Sequence, residues 1–221
     1  MILLINASPR KHGTTATILH YISHQLNTQN ITTKLVHVAD LNLQYCVGCF
    51  QCYQTGNCIY DDDIEALSYQ ILKSDGIVIG SPTYASNISG QLKTIIDRGH
   101  FIMEQLLYNK YSMSVVTYEN YGGKTASIIL KRLLCYSGSY VAASLVIKKP
   151  CSRNPLDNPH IKNCILKKTQ KFSQHIVKKR RFPFQSLKHF LIFNFGIVPF
   201  VRKKGSSYSG IVNAWNKKRE V

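Results

Sequence analysis

Short apolar segments alternate with helical segments over the first 147 residues of this chain, and this alternation limits its fold more than any other feature. The predicted strands are residues 1–6, 33–39, 76–80, 112–118 and 140–147, and the predicted helices are 13–27, 61–73, 90–107 and 124–137. The pattern predicts an α/β domain with a doubly wound, five-stranded parallel sheet and helices on both faces. In such sheets ligands bind beyond the carboxyl ends of the strands, so the loops after strands 1, 3 and 4 are the candidate site.

The remaining residues, 148–221, differ in composition from this first region. Residues 1–147 hold 10 Lys/Arg and 9 Asp/Glu, whereas residues 148–221 hold 18 Lys/Arg and 2 Asp/Glu. Pro150, Pro155 and Pro159 indicate a linker. The helices predicted beyond it are 160–180, 184–195 and 206–218. The sequence therefore predicts a nearly neutral α/β domain, 1–147, with a basic helical C-terminal extension, 148–221.

The start of the chain and its hydropathy bear on location. The apolar run after Met1 is too short for a secretory signal and lacks a basic segment before it, and no stretch is expected to reach the length of a membrane-spanning helix. We therefore expect a cytoplasmic protein, in which the 7 cysteines stay reduced. The aromatic residues within 182–195 are expected to pack on the first domain or on another subunit.

The loop after the first strand combines hydroxyl groups with positive charge. Its candidate residues are Ser8, Arg10, Lys11, Gly13, Thr14 and Thr15. Hydroxyls, backbone N–H groups and the N-terminus of the following helix together make an anion site. The loop has neither the Gly-Lys-Ser/Thr of a P-loop nor a G-x-G-x-x-G fingerprint, and it suits a monophosphate better than a pyrophosphate. An ordinary βα turn capped by Thr14 or Thr15 is the alternative.

The loops after the third and fourth strands can accommodate a flat ligand. The candidate residues are Pro82, Thr83, Tyr84, Ser86 and Asn87 in one loop and Thr117, Tyr118, Gly122 and Gly123 in the other. A Tyr ring offers a face to a planar group, and paired glycines let the backbone approach it closely. The alternative is that Tyr84 and Tyr118 are packing residues at strand ends.

These segments resemble the NAD(P)H-dependent FMN reductase branch of the flavodoxin-like superfamily. The matching motifs are Ser8-Pro9-Arg10-Lys11-x-Gly13-x-Thr15, Pro82-Thr83-Tyr84, Gly90-Gln91-Leu92-Lys93 and Asp97-Arg98. The resemblance implies the flavodoxin-like strand order 2-1-3-4-5. It also implies that the first loop binds the phosphate of FMN and that the other two bind the flavin ring. We interpret Asp97 and Arg98 as structural or interfacial.

Four of the cysteines lie close together in the sequence, at Cys46, Cys49, Cys52 and Cys58. Two consecutive C-x2-C steps and a fourth nearby Cys can bind a cubane, because one tight loop brings the four sulfurs around one centre. The spacing is similar to that of iron–sulfur flavoproteins, a flavodoxin-like subgroup with a [4Fe–4S] cluster beside FMN. A zinc site or four free thiols are the alternatives. Cys135, Cys151 and Cys164 are isolated and are expected to be structural or free.

The resemblance implies an FMN-dependent oxidoreductase. It would take electrons from transiently bound NAD(P)H, or from a ferredoxin, and pass them to a quinone, a nitro or azo compound or another small-molecule acceptor. No catalytic side chain is expected, because the flavin carries the redox chemistry. A second hypothesis is an iron–sulfur flavoprotein that carries electrons between protein partners without a small substrate. A third is a binding module that has lost its flavin.

The basic runs 178–181, 202–204 and 217–219 indicate a negatively charged partner. An acidic ferredoxin is the favoured partner, because opposite charge speeds encounter. Peripheral contact with an anionic membrane ranks below it. Nucleic acid is not expected, because no recognition motif accompanies the charge. A homodimer or homotetramer is implied by the resemblance alone.

Overall fold

The structure is a computed structural model that describes residues 1–149 and 154–219, the last three by their backbone alone. The predictions for Pro150 in the linker, for Cys151 and for the side chains of the 217–219 basic run therefore lie outside the described residues. The strands are β1 (Ile2–Asn6), β2 (Thr33–His37), β3 (Gly76–Pro82), β4 (Tyr111–Tyr118) and β5 (Tyr140–Lys148).

The five strands form one parallel sheet in the order β2-β1-β3-β4-β5. This confirms the predicted flavodoxin-like order. All five residues of β1 are buried, because helices cover the sheet on both faces. The order reverses between β1 and β3, so the loops that leave these two neighbouring strands open a crevice at the carboxyl edge of the sheet.

The helices of the α/β domain cover both sides of this sheet. They are α1 (Thr14–Asn27), α3 (Ile64–Lys73), α4 (Gly90–Arg98) and α5 (Gly123–Tyr136), whereas the short α2 (Gln51–Thr55) packs on the C-terminal extension. One apolar cluster packs α3, α4 and α5 on one face, where Ile71, Leu92 and Leu130 are fully buried. The other cluster packs α1 on the opposite face through Ile18 and Ile22.

Two of the predicted helices have different ends in the structure. The fourth helix ends at Arg98 rather than near residue 107, because Gly99 caps it and residues 101–109 continue as turns. His100, Gln105 and Asn109 adopt positive φ there, which an α-helix does not allow. The predicted 61–73 helix starts at Ile64, and the side chain of Asp62 accepts a hydrogen bond from the N–H of Ile64.

The C-terminal extension packs around the α/β domain. Its helices are α6 (Pro159–Val177), α7 (Pro183–Ile192), α8 (Val198–Lys203) and α9 (Ser209–Arg219). On α6, Ile165 and Phe172 are fully buried in the same apolar cluster as α1. Near the other end of the extension, Trp215 donates a hydrogen bond from Nε1 to the carbonyl of Met103 (2.7 Å).

A π-helical segment, Phe193–Ile197, joins α7 to α8 and makes one continuous helix, Pro183–Lys203. Pro199 lacks a backbone N–H, and a wider turn before it accommodates this missing bond. The helix is 21 residues long and, by length and composition alone, apolar enough to cross a membrane. It is the one such helix among the described residues, so the expectation that no stretch reaches this length is wrong.

Candidate functional site

An open pocket of about 310 Å³ lies beyond the carboxyl ends of the central strands. The predicted site residues that line it are Arg10, Thr14, Pro82, Thr83, Tyr84, Ser86, Thr117 and Tyr118. They come from the last residues of β3 and β4 and from the loops after β1 and β3, at the edge that the alternation of strands and helices predicts. Its volume is within the range of small-molecule and cofactor sites.

The N-terminus of α1 forms one end of this pocket. Gly13 is the N-cap residue of α1 and has an extended backbone. The first turn of α1 contains no acidic residue. The first backbone N–H groups of a helix have no partner within it, and the helix dipole places positive charge there. The hydroxyl of Thr14 is buried and has no hydrogen-bond partner among the described residues. This end of the pocket therefore offers donors to an anion.

Three predicted phosphate-loop residues make contacts within the protein instead. The Oγ of Ser8 accepts a hydrogen bond from the N–H of Arg10 (3.1 Å), and Lys11 forms an ion pair with Asp40. Thr15 is buried, and its hydroxyl is 2.7 Å from the hydroxyl of Thr117. In this geometry Thr15 links α1 to β4, and Thr14 is the threonine of the loop that lines the pocket.

The loop after β3 is a tight turn. Tyr84 and Asn87 exchange two backbone hydrogen bonds (3.0 and 2.9 Å), and Ala85 and Ser86 between them have φ of 47° and 62°. Left-handed backbone costs free energy in residues other than glycine, and it occurs preferentially at functional sites. The side chain of Asn87 accepts a hydrogen bond from the next N–H. Tyr84 is 43% exposed at the pocket, where its ring is open to a ligand.

The paired glycines after β4 have a different role from the predicted one. Gly122 has φ of +84°, and a Cβ on it would lie 2.5 Å from the Cα of Ser86. A Cβ on Gly123 would lie 2.3 Å from the ring of Tyr118. The glycines therefore let the loops after β3 and β4 pack on each other, and neither lines the pocket directly.

The structure adds pocket residues that the sequence did not single out, namely Ala85, Glu119, Asn120, Tyr121 and Lys149. The N–H of Lys149 donates to the carbonyl of Tyr118 (2.9 Å), so the end of β5 brings a second cation to the pocket beside Arg10. Lys149 follows the fifth strand, whose loop the switch-point rule does not select. Thr83 resembles Thr14 in having a buried hydroxyl with no partner among the described residues.

A larger pocket of about 440 Å³ lies between the α/β domain and the extension. Its lining includes Tyr108, His189, Phe193 and Trp215, and none of the predicted site residues. It lies where α7 and α9 pack on the 101–109 turns, away from the carboxyl edge of the sheet. We therefore place the candidate site at the smaller pocket, where the predicted loops meet.

The cysteine loop, residues 41–63, forms a second candidate site. The four predicted ligands, Cys46, Cys49, Cys52 and Cys58, line one small pocket. Gly48, Phe50 and Gly56 have positive φ, which turns the chain sharply between the cysteines. All cysteines among the described residues are free.

Arg98 holds this loop through a buried ion pair with Asp62. Its guanidinium also donates to the carbonyl of Gln44 (2.9 Å) and to the sulfur of Cys58 (3.1 Å). Burial raises the pKa of Asp62, but hydrogen bonds from Arg98 and from two backbone N–H groups outweigh it and hold the pKa below its usual value. Arg98 thus has the structural role that we expected, and it also places positive charge beside a cysteine sulfur.

His100 is a second basic group beside the cysteines. Burial lowers the pKa of His100, but hydrogen bonds to Cys52 and to Glu104 outweigh it and raise the pKa to about 10. Arg98 and His100 therefore both line the pocket of the four sulfurs, and Arg98 contacts one of them directly. Positive charge of this kind stabilises thiolates, which are the form of cysteine that binds metals.

The flavin pocket offers donors of the kind that the sequence predicted for it. Buried hydroxyls without partners at Thr14 and Thr83 lie in the two loops expected to bind the phosphate and the ring. In the cysteine loop, no group of three or more His, Cys, Asp or Glu side chains is arranged to bind a metal ion, and the same holds for the rest of the described residues. A cubane keeps its thiolates farther apart than a single ion does, so four sulfurs around one pocket are compatible with a cluster, and the ligand set stays a prediction.

The fold and the pocket at its carboxyl edge define a flavodoxin-like flavoprotein. The sequence matches the family described as NADPH-dependent FMN reductase over residues 1–149, and the chain belongs to this family. A curated iron–sulfur flavoprotein of Clostridioides difficile is 35% identical over 221 residues, which cover 98% of this chain and 98% of that protein. An iron–sulfur flavoprotein of Archaeoglobus fulgidus is 34% identical over 122 residues, 53% of this chain and 54% of that protein.

Solved structures of low sequence identity share the fold. The flavoenzyme NAD(P)H:(acceptor) oxidoreductase FerB of Paracoccus denitrificans aligns with a TM-score of 0.63 at 17% identity, covering 80% of this chain and 97% of FerB. The apo form of the NADH:FMN oxidoreductase EMOB aligns with a TM-score of 0.58 at 16% identity, covering 84% and 92%. These similarities confirm the flavodoxin-like fold.

Proposed function

We propose that this FMN-dependent oxidoreductase binds a [4Fe–4S] cluster at Cys46, Cys49, Cys52 and Cys58 and works with both groups. The observation that carries the proposal is that the four cysteines line one pocket together with Arg98, whose guanidinium donates to the sulfur of Cys58. The relative of the same length is named an iron–sulfur flavoprotein, which supports the proposal. FMN, when bound, supplies two-electron and one-electron redox chemistry, and a cluster supplies one-electron transfer.

The chain's own residues bind and orient the flavin. The N-terminus of α1 and the hydroxyl of Thr14 receive the phosphate, with Arg10 and Lys149 contributing positive charge. The Tyr84–Asn87 turn and Tyr118 hold the ring, and the exposed face of Tyr84 borders the space where a donor or acceptor enters. The electron donor is NAD(P)H or a reduced ferredoxin, the acceptor is a small molecule such as a quinone or a nitro compound, and the reaction takes place in the cytoplasm.

The test of the cluster is its composition in protein purified without oxygen. We expect FMN absorption with an added shoulder near about 400 nm and about four irons and four sulfides per chain. Cys49→Ser and Cys58→Ser should lose the iron and keep the FMN. Cys164→Ser is the matched control, because Cys164 is exposed on α6, outside the cysteine pocket. Iron-free protein after anaerobic reconstitution would remove the cluster from the proposal and leave the flavin site.

A second candidate function is electron transfer between proteins without a small substrate. Cys46 and Cys49 are exposed, so a cluster there would lie within reach of a protein partner. Rapid mixing with NADH, NADPH and reduced ferredoxin separates the two functions. Flavin bleaching by a nicotinamide supports the oxidoreductase, whereas bleaching by ferredoxin alone supports the carrier.

A further inference from the structure

The Pro183–Lys203 helix packs against the α/β domain along one face only. Gln185 accepts a hydrogen bond from the N–H of Val141 (2.8 Å) and donates one to its carbonyl (3.2 Å). Strand β5 is an edge of the sheet, so Gln185 pairs with backbone groups that no strand covers. One and two turns later, His189 contacts Gln105 and Phe193 packs on Trp215 with ring centres 5.1 Å apart. These contacts fix the helix on the protein surface.

The opposite face of this helix is apolar and exposed. Among the 18 consecutive residues that make this helix most apolar, about 6% are buried. The exposed apolar side chains of this face are Phe184, Leu187, Phe190, Leu191 and Phe195, which we call the apolar stripe. Their spacing of three and four residues places most of them along one side of the helix. Phe184 is 87% exposed and Phe195 is 73% exposed. Phe184, Phe190 and Phe195 therefore do not pack on the first domain, which was one of the two places expected for the aromatics of 182–195.

Positive charge lies at both ends of the stripe. Residues 178–181 are Lys-Lys-Arg-Arg, residues 202–204 are Arg-Lys-Lys, and all seven side chains are exposed. No Asp or Glu occurs in the sequence from residue 158 to residue 219. The helix between the two runs is about 30 Å long. An apolar stripe between two basic runs is complementary to a partner that has an apolar layer beneath a negatively charged outer layer.

A second copy of the chain fits this face poorly. A two-fold contact would place the stripes of two copies together, because both copies use the same surface. It would also bring the basic runs of both copies close to one another, with no acidic residue on the extension from 158 to 219 to compensate them. Like charges at an interface oppose association.

An acidic redox protein also fits this face less well than a lipid surface. The hydroxyl of Tyr111 donates to the carbonyl of Arg180 (3.2 Å), so the first basic run lies beside the start of β4. The flavin pocket lies beyond the other end of that strand, and eight residues of strand span about 25 Å. A partner bound at this run would be far from the flavin. Binding through charge alone would also leave the five apolar side chains of the stripe without a role.

We propose that the apolar stripe and its two flanking basic runs bind the surface of an anionic lipid bilayer. The helix lies in the plane of the interface with the stripe buried about 5–10 Å into it, and the basic side chains meet the anionic headgroups. It does not span the bilayer, because Gln185, His189 and Phe193 hold it on the folded domain. The protein is then a peripheral membrane oxidoreductase with its flavin pocket facing away from the attached helix.

The test is co-sedimentation of the full-length, cofactor-loaded protein with vesicles. We expect binding to vesicles of phosphatidylcholine mixed with phosphatidylglycerol, and no binding to phosphatidylcholine alone. Lys178→Gln and Lys179→Gln together should weaken binding about fivefold for each charge removed, and added salt should reduce this difference. Phe184→Gln and Phe195→Gln together should weaken binding at least tenfold at any salt concentration.

The matched control is the pair Tyr69→Gln and Leu72→Gln, which removes two exposed apolar side chains from α3 and should leave vesicle binding unchanged. The proposal would be overturned if the control variant lost vesicle binding. It would also be overturned if the Phe184→Gln and Phe195→Gln variant bound vesicles as tightly as the wild type. Failure of the wild-type protein to sediment with either kind of vesicle would also overturn the proposal. A dimer that F184Q and F195Q dissociate, without vesicle binding, would assign the stripe to a second copy. Binding of a reduced ferredoxin that F184Q and F195Q abolish would assign it to an acidic protein.

Discussion

Gly210 of α9 lies directly against Gly56 of the cysteine loop. A Cβ on Gly210 would come within 2.4 Å of the backbone nitrogen of Gly56 and 3.0 Å of the carbonyl oxygen of Cys52. The hydroxyl of Ser209 donates to the carbonyl of Gln54 (2.8 Å) at the same place. The basic extension therefore supports the loop that carries the four cysteines, and the two predicted regions are coupled at the candidate cluster.

Gly210→Ala should disturb this contact and lower the iron and sulfide content per chain while FMN content stays the same. The added methyl group must displace backbone atoms on one of the two segments, because no flexible side chain is there to move. Gly196→Ala is the control, since a Cβ on Gly196 meets nothing within 4 Å and alanine favours a helix by about 1 kcal/mol. Equal iron content in the two variants would show that α9 does not support the loop.

Thr14→Val should weaken FMN binding by about 10- to 100-fold, because the lost hydrogen bond to a charged phosphate contributes about 1.5–3 kcal/mol. The measurement is a titration of apoprotein with FMN. Thr15→Val is the comparison. It removes a hydroxyl that bonds Thr117, so it should lower the free energy of unfolding by about 1 kcal/mol and affect FMN less. A larger loss of affinity in Thr15→Val than in Thr14→Val would reverse the assignment.

Gly122→Ala should both destabilise the protein and weaken FMN binding. Any L-residue at its φ of +84° costs about 1–2 kcal/mol, and the new Cβ would also clash with Ser86. Gly205→Ala is matched in backbone cost, with φ of +56°, but its Cβ would be in open space. The difference in free energy of unfolding between the two variants, measured by chemical denaturation, reports how much the packing between the loops after β3 and β4 stabilises the protein. Identical FMN affinities would mean that this packing does not shape the pocket.

Arg98→Met should cost about 3–5 kcal/mol of folding stability, because it leaves the carboxylate of Asp62 buried without its cation. Asp62→Asn in the same chain should recover part of this loss, which a double-mutant cycle in urea would measure. Arg98→Met should also lower the iron content, since Arg98 contacts Cys58. Additive effects of the two substitutions would rule out the coupling seen in the structure.

The free energy of unfolding should fall as the pH drops from 7 towards 5. Burial lowers the pKa of His175, and Arg180 and Lys171 lower it further. In the unfolded chain, His175 takes up a proton at about pH 6.5, whereas in the folded protein it does so only at lower pH. Protonation therefore favours the unfolded state, and the free energy of unfolding falls below about pH 6.5. His175→Phe should reduce this dependence, because the buried Nε2 has no partner among the described residues. His160→Gln, an exposed substitution on the same helix, should leave the slope unchanged, and equal slopes in all three proteins would refute the role of His175.

The alternation of strands and helices was sufficient to predict the five parallel strands. The strand order and the pocket residues also required the family resemblance, through motifs such as Pro82-Thr83-Tyr84. Predictions from local sequence were wrong where contacts with distant segments determine where a helix ends or what a residue contacts. The helix predicted to run to residue 107 stops at Arg98, and the paired glycines fit neighbouring loops rather than a ligand. Lys149 lines the pocket because β5 pairs with β4 and the two strands end side by side.

Residues close together along the chain were enough to predict the parallel α/β architecture, an anion site in the loop before α1 and the grouping of four cysteines. Two relations became visible only in the folded chain: which side of the Pro183–Lys203 helix is exposed, and that α9 packs on the cysteine loop. Both relations depend on contacts between segments separated by about 40 to 155 residues, such as Gln185 with Val141 and Ser209 with Gln54. Local propensity and hydropathy carry no information on such contacts, because they are made only when the whole chain has packed.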